Sequence, residues 1–403
     1  MAQEEYRCYK FQNLNQINLK KIDQARLADP RLNDYDVGFY FIDLAADNSS
    51  TDLSGTVTII AKSQKENLGE LVLELADELT ISSIEVNGLN GTFSHENDLI
   101  VVTLNEPLAV GQQVEIAVTY SGTPPSDGGF FSGISRDFAE FNIPVTWTLS
   151  EPFNASDWFP VKQVLTDQAD SAYIYITVPD DLMAAASGLL KNTVALDDNK
   201  VRFEWETRYP MAYYLLSMAI APYQRYDQEV YLPGIPNPLP IQNFIYDDGR
   251  VVDDAIPLLE VTPDMMILFS ELFGTYPFKD EKYGHAMAPM GGGMEHQTIS
   301  TMAGFNFTLI AHELLHQWFG DAITCATWQD IWINEGFARY GEYLAIENLI
   351  SKEDANSWLA NDYNRILSAP DGSVYVPEEE AENVNRIFDF RLTYAKGGAL
   401  LHM

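Results

Sequence analysis

Two imidazoles four residues apart, with a carboxylate between them, stand in the segment AHELLHQWFG as His312, Glu313 and His316. An α-helix turns about 100° per residue, so positions i and i+4 share one face, one turn apart. Imidazoles so placed can both reach a single ion at Zn–N distances of about 2.0–2.1 Å. Glu313, offset by one residue, can aim at a water on that ion. A third ligand must come from elsewhere, and Glu335 in WINEGFARY stands on the next predicted helix. Two histidines, one glutamate and a water make the open coordination set of a catalytic zinc. A helix that merely shows two histidines on its polar face is the competing reading, and Glu335 downstream weighs against it. WINEGFA also reads as amphipathic packing with Ile331, Trp332 and Phe337 in a core, and the two readings are compatible.

The elements that must hold these residues are legible in the periodicity. Phe307, Ile310, Ala311, Leu314, Leu315 and Trp318 recur at helical spacing, which predicts a helix over Phe307–Phe319 with Gly320 as its stop. Residues 256–273 and 330–349 read as further helices, and Thr393–Met403 as the opening of another. Upstream, from Tyr35 to about Tyr223, the signal is alternation. Val114, Ile116, Val118 and Tyr120 alternate with Gln113, Glu115, Ala117 and Thr119, which predicts a half-buried strand. Similar runs occur at Thr56–Ala61, Leu71–Leu75, Ile84–Val86, Leu99–Leu104, Tyr173–Val178 and Val201–Trp205, separated by turn signals such as Asn87-Gly88 and Pro124-Pro125. The expectation is an α+β multidomain chain: an N-terminal arm over 1–34, an antiparallel all-β domain over 35–223, and a mainly helical domain over 224–403. The Pro-rich stretch LPGIPNPLP lies just past the boundary. The chain stops inside its last predicted helix, so the sequence reads as the N-terminal part of a longer protein.

Composition narrows the classes. A length of 403 residues, with 46% hydrophobic and 21% charged residues, suits a packed globular protein rather than a disordered one. The formal net charge of −35 argues against nucleic acid or an anionic membrane as a partner. No run approaches the ~20 apolar residues of a transmembrane helix, and MAQEEYRCYK lacks the layout of a signal peptide. The expected compartment is periplasmic or secreted if a signal was removed, and cytoplasmic otherwise. Cys8 and Cys325 are the only cysteines and cannot make a disulfide framework. The run Glu378-Glu379-Glu380 reads as a solvated loop or helix start. Oligomeric state is not readable.

His312-Glu313-Leu314-Leu315-His316-Gln317-Trp318-Phe319-Gly320, followed by Asn334-Glu335-Gly336-Phe337-Ala338, resembles the zinc aminopeptidases of the aminopeptidase N and leukotriene hydrolase family. The likeness covers about Tyr35 to Met403 and is strongest from Pro289 to Leu344. It implies a saddle-shaped β-domain followed by a thermolysin-like catalytic domain holding one Zn²⁺, with a helical C-terminal region beyond. It implies further site residues. Gly292-Gly293-Met294-Glu295-His296 matches the family's G-x-M-E-N motif, with His296 in place of Asn, and makes Glu295 the carboxylate that holds the substrate's α-ammonium. Gly292, Gly293 and Met294 would then offer backbone to a strand-like peptide. Thr148-Leu149-Ser150-Glu151 is similar to a family segment that supplies a second amine-binding carboxylate, although Leu149 departs from the usual Gln. Tyr394 in TYAKGG matches a tyrosine that hydrogen-bonds the oxyanion of the tetrahedral intermediate.

The implied activity is hydrolysis of the first peptide bond of peptides with a free N-terminus, with Glu313 as base. Competing readings are a thermolysin-type endopeptidase, an inactive or truncated metal-containing peptide-binding protein, and hydrolysis of a lipid epoxide.

Overall fold

The computed structural model describes residues 29–125 and 131–403. Most of the arm expected over 1–34, and Cys8 with it, lies outside the described residues; Pro30–Asp34 forms a short 3-10 helix capped by the Asp29 carboxylate. The described residues group into two compact units that meet in the sequence at Tyr223 and Gln224.

The N-terminal unit is built on strands. Its largest sheet has eight, in the order Leu189–Leu196, Lys200–Thr207, Ser171–Pro179, Tyr35–Ala45, Leu53–Ser63, Gln113–Gly122, Leu79–Val86 and Leu89–Asn90. A four-stranded and a three-stranded sheet complete it. Alternation does what period 2 requires: Val57, Ile59, Val114, Ile116, Val118, Ile174 and Ile176 are fully buried. On the opposite face Phe39, Phe41, Tyr173 and Tyr175 are half-buried and pack edge to face across neighbouring strands. One feature departs from the antiparallel expectation. Tyr35–Ala45 pairs in parallel with Ser171–Pro179, because more than a hundred residues of chain return before the second strand is laid down.

The C-terminal unit opens on a five-stranded sheet, ordered Tyr223–Val230, Leu239–Tyr246, Tyr283–Met287, Ser300–Met302 and Gly293–Met294. Its three middle strands run parallel, and the short Gly293–Met294 runs antiparallel at the edge. Tyr283–Met287 is buried along its whole length, as a central strand covered on both faces must be. Among the helices that follow the first strands are α1 (Gly249–Leu259), α2 (Thr262–Phe273), α3 (Phe307–Leu315), α4 (Trp332–Leu349) and α5 (Lys352–Ile366). The single helical face expected over 256–273 is thus split. Pro263, in the first turn of α2, has no N–H to continue α1, so the chain restarts there. The Glu378–Glu380 run is a 3-10 turn with no buried residue. The chain's final helical stretch is a wide π-helix, Phe390–Lys396, running into an α-helix over Gly397–His402. Cys325 is buried. Among the described residues no helix is long and apolar enough to cross a membrane.

His285, on the central strand, is buried. Its Nδ1 lies 2.7 Å from Asn243 Oδ1, and the amide nitrogen of Asn243 donates to Tyr226 O and Gln228 Oε1. The tautomer is therefore set, with the proton on Nδ1. Burial pushes the imidazole down to about 3. The unfolded chain then binds a proton between about pH 6.5 and 3 that the native state refuses, so native stability falls as pH drops through that window. Urea unfolding of the wild type and His285→Gln at pH 7 and pH 5 should show the gap between them change by about 2 kcal/mol, against the wild type at the lower pH. A gap that does not move with pH would mean that His285 is not held neutral.

Candidate metal centre

Asn306 starts α3. Its side chain accepts from the Leu309 N–H at 2.9 Å, closing one of the helix's open donors. Leu309, Ile310, Leu314 and Leu315 bury the apolar side, each worth roughly 1.5–3 kcal/mol. The helix formally ends at Leu315, but His316 keeps helical angles (φ −54, ψ −28), and its N–H still bonds His312 O at 3.2 Å. The i, i+4 relation of the two histidines therefore survives the helix end. Gln317 and Trp318 leave the helix in tighter turns, their N–H groups bonding the carbonyls three residues back, and Gly320 takes φ 135, a backbone region that favours glycine. A Cβ there would come within 2.9 Å of His316 Nδ1.

Glu335 lies in the first turn of α4, which packs on α3 so closely that a Cβ on Gly341 would strike Leu315 Cδ2 at 2.4 Å. Phe337 is half-buried and stacks on Phe319 with ring centroids 3.9 Å apart. Trp332 is also only half-buried, while Ile331 is fully buried. That packing brings three ligand atoms together. His312 Nε2 is 3.2 Å from His316 Nε2 and 3.2 Å from Glu335 Oε2, and His316 Nε2 is 3.4 Å from Glu335 Oε2. Ligands about 2.0–2.1 Å from a tetrahedral zinc stand about 3.3 Å from one another. The separations match that triangle.

The hydrogen bonds of the outer ring nitrogens agree. His312 Nδ1 faces Glu342 Oε1 at 2.9 Å, and His316 Nδ1 faces Phe319 O at 3.0 Å. Both partners are acceptors, so each Nδ1 carries its proton and each Nε2 presents a lone pair. Two lone pairs and a carboxylate oxygen converging at this distance suit a cation. Burial lowers the pKa of His312, but hydrogen bonds to Glu335 and Glu342 outweigh it and hold it well above the ordinary histidine value. A proton and a metal ion compete for this position, and the metal requires the neutral ring.

Two further carboxylates stand beside the triad. Ligand atoms of Glu295, Glu313 and His316 lie within 4.8 Å of one another, and all three residues are buried. Glu313 presses on the edge strand: a Cβ on Gly293 would sit 2.4 Å from its Oε1. Gly293 and Met294 pair with Met302 and Thr301, so they spend hydrogen-bonding capacity on the sheet. Gly292, adjacent, accepts from the Ala303 N–H. His296, where the resembled motif has Asn, turns Nδ1 to Thr301 Oγ1 at 2.8 Å. Tyr394 is buried on the π-helix, its ring stacked near that of His312 with centroids 6.1 Å apart. π-helical turns are rare and often occur at functional sites. Glu151 belongs to the other unit, buried just past the strand Ile143–Thr148 and before a cis peptide bond to Pro152.

Two supporting residues escaped the sequence reading. Gln317 follows His316 and fastens the loop that carries Glu295. Its Oε1 accepts from Thr298 N at 2.7 Å, and its Nε2 donates to Glu295 O at 3.2 Å. Glu342 orients His312. Its signal was present, since Glu342 stands two turns after Glu335 on the same face of one helix.

Similarity to known proteins gives the same frame. The Peptidase M1 N-terminal domain model matches residues 33–215, and the Peptidase family M1 domain model matches 264–403. Aminopeptidase N of Oryctolagus cuniculus is 27% identical over 343 residues, 76% of this chain and 34% of the relative. Leukotriene A-4 hydrolase of Xenopus laevis is 23% identical over 405 residues, 94% of this chain and 63% of the relative. The chain thus spans about a third of the aminopeptidase N it matches. The M1 zinc metallopeptidase of Deinococcus radiodurans is similar in structure, with a TM-score of 0.78 at 28% identity, covering 91% of this chain and 81% of that one. The cofactor of this centre is zinc, and with a β-rich domain followed by a catalytic domain carrying the histidine pair, the chain belongs to peptidase family M1.

Proposed function

We propose that this protein is a zinc-dependent aminopeptidase that removes the first residue of peptides with a free N-terminus. One observation carries the reading: two carboxylates that are not needed as ligands, Glu313 and Glu295, cluster with His316 beside the metal triangle. A peptidase needs one such group as a base. The second suits a substrate cation.

His312, His316 and Glu335 would hold the ion, which supplies Lewis-acid polarisation of the scissile carbonyl and a more acidic water. Glu313 takes a proton from the attacking water and passes one to the leaving amine. Tyr394 donates its phenol hydrogen to the developing oxyanion. Glu295 pairs with the α-ammonium and so sets the distance from the free end to the cleaved bond. The backbone of Gly292, Gly293 and Met294 lines the approach of the peptide. The strongly negative chain adds long-range attraction for cationic N-termini, which salt screens. The relatives' names point the same way, and the Deinococcus protein is described with a Tyr-Ser-Ala substrate bound.

Paired aminoacyl anilides, free and N-acetylated, test this with Glu295→Ala. The wild type should cleave only the free substrate. The variant should lose roughly 10–150-fold in kcat/KM on it, the range expected for a hydrogen bond to a charged group. Cleavage of the acetylated substrate by the wild type would point to an endopeptidase instead, and an unimpaired variant would remove the anchor.

A further inference from the structure

We propose that Arg339 and Asp362 are a positioning pair for the metal centre, acting through Glu342 on His312. The inference rests on His312, His316 and Glu335 being the zinc ligands. Glu335, Arg339 and Glu342 stand at i, i+4 and i+7 of α4, so one helix face carries a metal ligand, a guanidinium and the carboxylate that meets His312. Glu342 divides its two oxygens. Oε1 accepts from His312 Nδ1 at 2.9 Å, and Oε2 accepts from Arg339 Nη1 at 2.7 Å. Arg339 then turns its remaining edge to α5, where Nε and Nη2 donate to Asp362 Oδ2 and Oδ1 at 2.9 and 2.7 Å. That contact is bidentate, the geometry that only arginine offers.

All three charged residues are buried, with Arg339 8%, Asp362 2% and Glu342 0% exposed. Buried ion pairs of this kind are often no more stabilising than apolar residues of the same volume, so stability is a weak reason for the arrangement. Geometry is a better one. A carboxylate can rotate about its last bond, and Arg339 removes that freedom by fixing Oε2. Oε1 is then held in line with Nδ1, which keeps the proton on that nitrogen and the Nε2 lone pair on the metal. The guanidinium also lies 3.9 Å from the centroid of Trp358 and 5.0 Å from that of Phe390. Phe390 stacks on Tyr394, which stacks near His312. Arg339 therefore touches two supports of the same imidazole.

The test measures zinc affinity by competition with a chromophoric chelator, the absorption of the cobalt-substituted protein, and the unfolding midpoint of the zinc-free protein. Arg339→Met should lower zinc affinity by about 10–100-fold and shift the cobalt bands. Asp362→Asn, close in shape, should lower it less, and Arg339→Met with Asp362→Asn should lose no more than Arg339→Met alone, since the pair acts as a unit. Arg339→Lys should recover part of the loss. Zinc affinity within about threefold of wild type in both single variants, with unchanged cobalt bands, overturns the proposal even if the zinc-free midpoint falls, because a purely structural pair would move only that midpoint. If Arg339→Met does not fold, Asp362→Asn decides by the same criterion. A wild type that binds no zinc overturns the ligand set itself, which separates that failure from this one.

Discussion

Glu313→Ala is expected to keep its zinc and lose hydrolysis, with kcat lower by about 10²–10⁴-fold. The loss should be in kcat rather than KM, because the carboxylate acts on a proton in flight and not on the bound peptide. Zinc should stay because the metal triangle is made by His312, His316 and Glu335, and Glu313 is not one of its corners. Its position on α3, one residue from His312 and packed against Gly293, leaves it beside the ion without replacing a ligand. Metal analysis and steady-state kinetics on one preparation check both halves. A variant that retains turnover would deprive Glu313 of its role as base. One that loses zinc would make it a ligand or a structural prop.

The second large effect is expected from Glu335→Ala. Removing one of three protein ligands should weaken zinc binding by far more than the roughly 100-fold upper end seen for an outer partner. The two imidazoles remain, their Nε2 atoms 3.2 Å apart, but the carboxylate oxygen that completes their triangle is gone. Stability should respond too. Zinc at about a thousand times its Kd stabilises a native protein by about 4 kcal/mol. Added zinc should therefore raise the wild-type melting temperature and leave that of the variant unmoved. Calorimetry with and without zinc, on both proteins, is the check. A variant that still gains stability from zinc at wild-type concentrations would exclude Glu335 from the coordination set.

The two predictions differ in how they could be reached. The pairing of His312 with His316 is a matter of one helical turn, so spacing alone revealed it. Glu335 belongs to another helix, and only close contact between α3 and α4, with Gly341 against Leu315, brings its oxygen to the imidazoles. Glu295 and Tyr394 carry no local signature. A Gly-rich turn and a tyrosine near a helix start are common, and both entered through likeness to a family. Glu342, Arg339 and Asp362 went unread. Charged residues on a helix usually face solvent, and only Glu342, two turns beyond Glu335 on the same face, carried a sign that it turns inward.

The strands were legible for a simpler reason. A half-buried strand repeats every two residues, and Val114–Tyr120 shows that repeat without reference to anything else. The parallel pairing of Tyr35–Ala45 with Ser171–Pro179 was not, because alternation says which face is inward and not which neighbour lies alongside. Likewise, the helical face read across 256–273 did not reveal the restart at Pro263.

Local order in this chain thus followed from its own sequence: strand period, and a histidine pair set by the pitch of a helix. The tertiary structure alone decided which carboxylates meet those histidines and which arginine steadies them. Backbone geometry acts over four or five residues, whereas a metal site and its supports are assembled by side-chain packing between segments tens of residues apart, at angles that no short-range preference encodes.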